Sequence, residues 1–178
     1  MKKSFLIFLS LFAGLFHINV FAQTQTSIPI SITVPTVLAL QVTANSANSV
    51  TFSNTNPGPG PDLDHGITLT SATTLTYTAN MAYFIQINSS TPNFTGGPTT
   101  GSPPIMPVSV VQYKLHSNST YIPLSSTPTN LVGAMGSEVT RGTGTYVLDF
   151  FINPGYTYAP ATATNPYVIT IVYTISNK

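Results

Sequence analysis

The feature that most constrains the fold is an alternation of apolar and polar side chains along several segments. Between Tyr167 and Ile175 every second residue is Tyr or Ile, and Thr170 and Thr174 fall on the opposite side. A period of two residues is the geometry of a β-strand, in which successive side chains point to opposite faces of a sheet. The chain shows no convincing apolar stripe with the helical period of 3.6 residues, so the sequence predicts an all-β protein.

The predicted strands are short and are separated by turn-rich segments. Besides Tyr167–Ile175, strands are predicted over Val37–Val42, Val50–Ser53, Ile67–Leu69, Leu75–Ala79, Met81–Asn88, Val108–Leu115, Tyr121–Leu124 and Tyr146–Ile152. Pro and Gly concentrate in the loops 54–61, 91–107 and 133–144. Many short strands with this punctuation are typical of an antiparallel β-sandwich of the immunoglobulin-like or pilin-like kind. A closed barrel has the same periodicity and stays an open alternative.

The first 22 residues have the pattern of a cleaved export sequence. Two early lysines precede an apolar run over Phe5–Phe16, and residues 20–22 provide a small-x-small cleavage site. This run is shorter than the roughly 20 residues that span a bilayer as a helix, and no later run reaches that length. We therefore expect a signal peptide at 1–22, a single β-sandwich domain at 23–178 and no transmembrane helix. The mature protein is expected in the periplasm, on the cell surface or outside the cell.

Charge is scarce and cysteine is absent, which excludes several functions. Only 5% of the residues are Asp, Glu, Lys or Arg, against about 25% in an average soluble domain. With three basic and four acidic side chains, the mature domain has a net charge of −1 and cannot build the basic surface that nucleic acids need. Without Cys, the chain has no thiol nucleophile and no thiolate metal ligand. We predict no cofactor and no enzymatic activity.

The few carboxyl groups offer two weak candidate sites. Asp62 and Asp64, followed by Gly66, could bind Ca²⁺ through oxygen ligands, although a solvated turn is the favoured interpretation. Glu138 and Asp149 are the only well separated carboxyls that could act as a catalytic pair. A glycoside hydrolase would need them about 5–9.5 Å apart across a cleft.

The most specific functional hypothesis concerns an alternating segment within residues 23–35, near the mature N-terminus. Its apolar positions are Ile28, Ile30, Ile32 and Val34. Pro29 has no N–H to donate, so we expect this strand at a sheet edge or paired on one side there. The segment either completes its own sandwich or inserts into a neighbouring subunit by donor-strand complementation. Main-chain ladder bonds and alternate side chains stabilise both arrangements in the same way.

Aromatic residues in or near loops suggest a different partner. The candidates for stacking on a sugar ring are Phe94, Tyr121, Tyr156 and Tyr158. Most other aromatic residues alternate within predicted strands and are expected in the core. The alternative function is therefore a carbohydrate-binding β-sandwich module that uses these loop aromatics.

Several stretches resemble parts of bacterial secreted surface domains. Tyr146–Phe150, Asn153–Tyr156 and Tyr167–Ile175 are similar to the closing strands of fimbrial-type subunits and of the spore-coat-U/secreted-pilin group. Asn80–Ile87 resembles a strand of WxL-like surface domains. The chain has neither the Cys pair common in pilins nor a Trp-x-Leu motif. The resemblance implies a secreted bacterial surface protein with a structural or adhesive role, whose partners are other surface or fimbrial subunits or further copies of itself.

Overall fold

The computed structural model describes residues 29–45, 50, 52, 63, 65–98, 104–162 and 164–177. Its strands are β1 (Leu38–Ala44), β2 (Ile67–Ala79), β3 (Phe84–Ser89), β4 (Thr95–Gly96), β5 (Val111–Leu115), β6 (Ile122–Pro123), β7 (Thr129–Val132), β8 (Gly142–Ile152), β9 (Tyr167–Val168) and β10 (Ile171–Ser176). The only helical element in these ranges is one 3-10 turn at Val108–Val110. The all-β prediction is confirmed. The predicted signal peptide at 1–22 lies outside the described residues.

The largest sheet is built on one long antiparallel pair. β2 and β8 pair from Ile67 opposite Ile152 to Ala79 opposite Gly142, and β1, β5 and β6 extend the sheet in the order β1-β2-β8-β5-β6. A bulge between Leu69 and Thr73 interrupts the β2–β8 register. Residues 70–72 of β2 face the single residue Asp149 of β8 there, so β2 has two extra residues. Extra residues in one strand bend it and increase its twist, so β2 curves at this point.

Two smaller sheets accompany the large one. The three-stranded sheet has the order β10-β3-β7, and β4 pairs with β9 in a two-stranded sheet. In β10, Ile175 lies opposite Ile85 and Tyr173 opposite Ile87. These residues share one face of the sheet, because directly opposed residues of an antiparallel pair point the same way.

The five-stranded and three-stranded sheets share one hydrophobic core. Leu75 of β2 and Leu148 of β8 contribute from the large sheet, and Ile85 and Ile87 of β3 contribute from the smaller sheet. All four side chains are fully buried. Two antiparallel sheets with a common apolar interior are consistent with the predicted β-sandwich.

Several strand boundaries differ from the sequence prediction, and three of the differences have a clear local reason. The predicted strands Ile67–Leu69 and Leu75–Ala79 are one strand that runs through the bulge. Val108–Val110 form a turn, not the start of a strand, with the Val110 N–H bonded to the carbonyl of Pro107. β8 starts at Gly142, inside a predicted loop. Gly144 lies under Tyr77, whose hydroxyl oxygen is only 3.0 Å from where a Cβ would lie, so a glycine suits this position in the strand.

The last predicted strand is divided between two sheets. Within Tyr167–Ile175, β9 pairs with β4, whereas β10 pairs with β3. Residues 169 and 170 connect the two strands, and the Thr170 carbonyl accepts a hydrogen bond from the Ser90 N–H. A period of two residues is unchanged when a strand changes partner, so alternation alone does not show this division. The short strands β4 and β7 were not predicted.

The glycine before β2 provides a test of the fold. Gly66 has φ +67°, and an added Cβ would lie 2.5 Å from the backbone oxygen of Ile152. We expect Gly66→Ala to lower the free energy of unfolding by more than about 2 kcal/mol, since left-handed strain alone costs about 1–3 kcal/mol and a backbone collision is added. Urea unfolding measures the change.

Two other glycines are matched controls. Gly136 has φ +83° with nothing near its Cβ position, so Gly136→Ala should show the strain without the collision. Gly142 has neither a positive φ nor a close neighbour, so Gly142→Ala should be neutral or slightly stabilising. Equal losses for all three variants would contradict the close approach of Gly66 to β8.

Candidate functional site

Both main sheets end in a free strand edge on the same side of the core. β1 is an edge strand of the five-stranded sheet and β10 is an edge strand of the three-stranded sheet. The two strands approach each other, but in the described part of the chain each pairs with only one neighbour, β1 with β2 and β10 with β3. Their outer N–H and C=O groups are therefore available for another strand.

The core is incompletely covered along these two edges. Val42 of β1 lies opposite Leu75 of β2, yet Val42 is 47% exposed while Leu75 is fully buried. On the other sheet, Tyr173 and Ile175 of β10 are half-buried, although Ile87 and Ile85 opposite them are buried. The apolar interior thus continues to the edge strands and ends there partly open to solvent. We call β1 and β10, with their free edges, the open edge.

In its described residues, 29–34, the predicted interaction strand is exposed and forms no regular structure. By internal contacts the chain divides between Val34 and Pro35. In the described residues before that division, 29–34, Ile30 is 82%, Ile32 80% and Val34 73% exposed. Ile28 lies outside the described residues. Exposed apolar residues in a strand-like alternation are the kind of segment that pairs with a free sheet edge.

An ionic cluster around a buried carboxylate lies on the outer face of the large sheet, and it was not predicted from the sequence. The Asp149 carboxylate of β8 is 3% exposed and lies 3.1 Å from Lys114 Nζ and 2.9 Å from His116 Nδ1. It also accepts a hydrogen bond of 2.7 Å from the Ser71 N–H. Lys114 of β5 lies directly opposite Asp149. The only sign of this pair in the sequence was that each predicted strand contains one charged residue, and that the two charges are opposite.

This cluster fixes the bulge of β2. Ser71 has φ +51°, a conformation that costs energy for any residue other than glycine. Burial by itself would raise the pKa of Asp149, but the Ser71 N–H, His116 and Lys114 together lower it below the ordinary value. The ionised carboxylate therefore stabilises the strained backbone and joins β2, β5 and β8.

Three tyrosines meet at the core, and a hydrogen bond joins two of them. The hydroxyls of Tyr83 and Tyr146 are 2.9 Å apart, and the Tyr77 ring lies 4.9 Å from the Tyr83 ring and 5.1 Å from the Tyr146 ring. Burial, followed by the contact with Tyr146, raises the pKa of Tyr83 well above its ordinary value. Tyr83 and Tyr146 thus satisfy each other's hydroxyl groups, and the three rings act as packing residues.

The four proposed glycan-stacking residues have different surroundings. Phe94 packs against the core and meets the Tyr167 ring edge-on at 6.3 Å. Tyr121 lies 5.8 Å from the Phe151 ring, with Lys114 Nζ 5.3 Å from its centre. Tyr156 is 59% exposed and Tyr158 is half-buried. Because the Phe94 and Tyr121 rings lie against different strands, the structure does not bring those two together, and the glycan-binding role stays a prediction.

Two of the candidate carboxyl residues, Asp62 and Asp64, lie outside the described residues. Of the hydrolase pair, Asp149 is engaged by the ionic cluster, and Glu138 accepts a hydrogen bond of 2.8 Å from the Gly136 N–H.

In the described residues no three His, Asp or Glu side chains lie close enough together to hold a metal ion. No helix there is long and apolar enough to cross a bilayer.

Comparison with known proteins assigns no family. No protein-family model matches the chain, and a search of curated proteins finds no match. The features of the fold that bear on function are therefore the open edge, the exposed N-terminal segment and the ionic cluster.

Replacing Asp149 tests the ionic cluster. Asp149→Asn keeps the shape but leaves Lys114 without its counter-charge, so we expect the free energy of unfolding to fall by about 2–4 kcal/mol at pH 7. Urea unfolding measures it. Glu138→Gln removes a carboxylate from a more exposed contact and should cost less than about 1 kcal/mol.

The lowered pKa of Asp149 predicts how the stability of the fold changes in acid. A lowered pKa in the folded state means that Asp149 stabilises the protein above its unfolded pKa of about 3.9, and that this contribution is lost as the pH falls through the folded pKa. Between pH 5 and pH 2 the native chain should therefore lose more stability than Asp149→Asn. Parallel pH dependence in the two proteins would show that the ion pair contributes no stability.

Proposed function

We propose that this chain is an exported structural subunit of a bacterial surface assembly, with a pilin-like β-sandwich that joins to the next copy through residues 28–34. The observation that carries the proposal is an exposed, alternating apolar segment in a chain whose sandwich has an open edge. Export is supported by the sequence pattern of residues 1–22. A structural or adhesive role also agrees with a surface of neutral Thr, Ser and Asn side chains.

The segment and the edge match in length. Residues 28–34 span about 23 Å when extended, at about 3.3 Å per residue, and the six residues of β10 span about 20 Å. One face of the segment presents Ile28, Ile30, Ile32 and Val34, and β10 presents Ile171, Tyr173 and Ile175 toward the core. A strand added beside β10 would place its apolar side chains over the partly exposed interior.

The proline in the segment determines which side can pair. Backbone N–H and C=O groups of successive strand residues point to alternate sides, so residues 28, 30, 32 and 34 share one hydrogen-bonding side. Pro29, which cannot donate, belongs to the other side. The even-numbered residues can thus make all their ladder bonds to β10 while Pro29 faces away from it.

Charge on alternate faces of the segment provides the test. In the full chain, Ile30→Asp and Ile32→Asp would each bury a carboxylate on the inserted face and should reduce assembled protein at least tenfold. Ser31→Asp and Thr33→Asp, on the opposite face of the same segment, should leave assembly within about twofold. Light scattering after size-exclusion chromatography and electron microscopy of the exported protein measure the assembled fraction.

Deleting residues 23–34 separates this proposal from a purely intramolecular strand. We expect the deleted chain to remain unassembled and to accept a synthetic peptide of residues 23–36 in its place. If the full chain never forms oligomers, and the deletion changes only its stability, the segment serves its own domain and the proposal is wrong.

A further inference from the structure

One asparagine binds the chain just before β1 through both its backbone and its side chain. The Asn80 N–H donates to the Val37 carbonyl at 3.0 Å, and the Val37 N–H donates to Asn80 Oδ1 at 2.8 Å. Asn80 Nδ2 donates to the Pro35 carbonyl at 2.6 Å. We call this set of three bonds the Asn80 clamp.

The clamp extends the β1–β2 ladder beyond its last strand pair, Leu38 opposite Ala79. The side-chain amide offers one acceptor and one donor to residues 35–37, as a backbone peptide of a neighbouring strand would do. Pro35 adds a second restraint, because a residue that precedes proline is confined to extended conformations. Residues 35–37 are thus held in line with β1.

A reversal at this place is what folding back would require. Ser176, the last residue of β10, pairs with Phe84, and Leu38, the first residue of β1, pairs with Ala79. Since Ala79 and Phe84 are separated by four residues, the start of β1 and the end of β10 lie at the same end of the domain. To reach its own open edge, the segment 28–34 must turn sharply within residues 35–37, which the clamp occupies.

The strand direction also differs between the two arrangements. A segment that folds back beside β10 runs toward the end where β1 begins, which is the direction of β10 itself, so the pair is parallel. A segment from another copy can approach antiparallel to β10. Parallel pairing is slightly less stable per residue than antiparallel pairing.

We propose that Asn80 is a positioning residue that prevents residues 28–34 from complementing their own domain and so directs them to the open edge of a second copy. This inference rests on the proposed function and adds to it the choice between self-complementation and assembly. Residues 28–34 of another copy occupy the open edge. The Asn80 clamp of the copy that supplies this segment directs it by holding residues 35–37 of the same chain.

Disulfide trapping distinguishes the two arrangements, and the chain has no native cysteine to interfere. Thr33→Cys on the outer face of the segment is combined with Thr174→Cys on the outer face of β10, and Ser31→Cys with Thr174→Cys provides a second register. After mild oxidation, non-reducing gels separate linked monomers from covalent ladders. In the otherwise native chain we expect ladders, with less than about a tenth of the linked protein as monomer.

Opening the clamp should change the products. With Asn80→Ala in the same background, we expect linked monomer to increase at least fivefold and ladders to decrease, and Asn80→Asp, which keeps the acceptor for Val37, should lie between. Asn45→Ala is the matched control, because Asn45 bonds Ser71 and Thr74 at the opposite end of β1. It should destabilise the same strand pair without changing the ratio of monomer to ladder.

A four-residue insertion, Gly-Asn-Gly-Asn between Val34 and Pro35, repeats the test with the clamp intact if Asn80→Ala does not fold. It supplies the missing turn and should also convert ladders to linked monomer. Ladders that persist in both variants overturn the role of Asn80 and leave the proposed assembly standing. Linked monomer in the native background also overturns it. No disulfide with Thr174→Cys in any background overturns both the assembly and this inference.

Discussion

The long antiparallel pairing of β2 with β8 is the constraint on which the rest of the structure depends. It places Leu75 and Leu148 at the centre of the core and supplies the strands against which β1 and β5 pair. The pairing includes an unfavourable conformation at Ser71, which is maintained because a buried carboxylate binds its N–H. The large sheet therefore depends on a polar contact on its outer face as well as on apolar packing inside.

Sequence periodicity predicted the parts of the fold that depend on a buried face. Tyr146–Ile152 and the core side of β10 follow directly from alternation, because a strand with one buried face must repeat every two residues. Partner choice was not predictable, and the division of Tyr167–Ile175 between two sheets shows why. Side-chain period is a property of one strand, whereas sheet order depends on contacts between residues distant in sequence.

The candidate site was predicted only in part for a similar reason. The alternation of Ile30, Ile32 and Val34 was visible in the sequence. The partly exposed core beside β1 and β10 was not, because it depends on how the edges of two sheets approach each other. The sequence alone indicates Asp149 as a candidate catalytic carboxyl, because its distant partners are not visible there. Lys114 is 35 residues away and Ser71 is 78 residues away, and only the folded chain shows that together they bind one carboxylate.

The ionic cluster also changes how the protein should respond to salt. Of the four Lys, Arg, Asp and Glu side chains in the described residues, Lys114 and Asp149 compensate each other in a largely buried pair. Only Glu138 and Arg141 then remain as fixed charges in that part of the chain. Ions in solution screen exposed charges, and here there is little to screen. The apolar contacts of this part of the chain should therefore depend weakly on ionic strength and strongly on temperature.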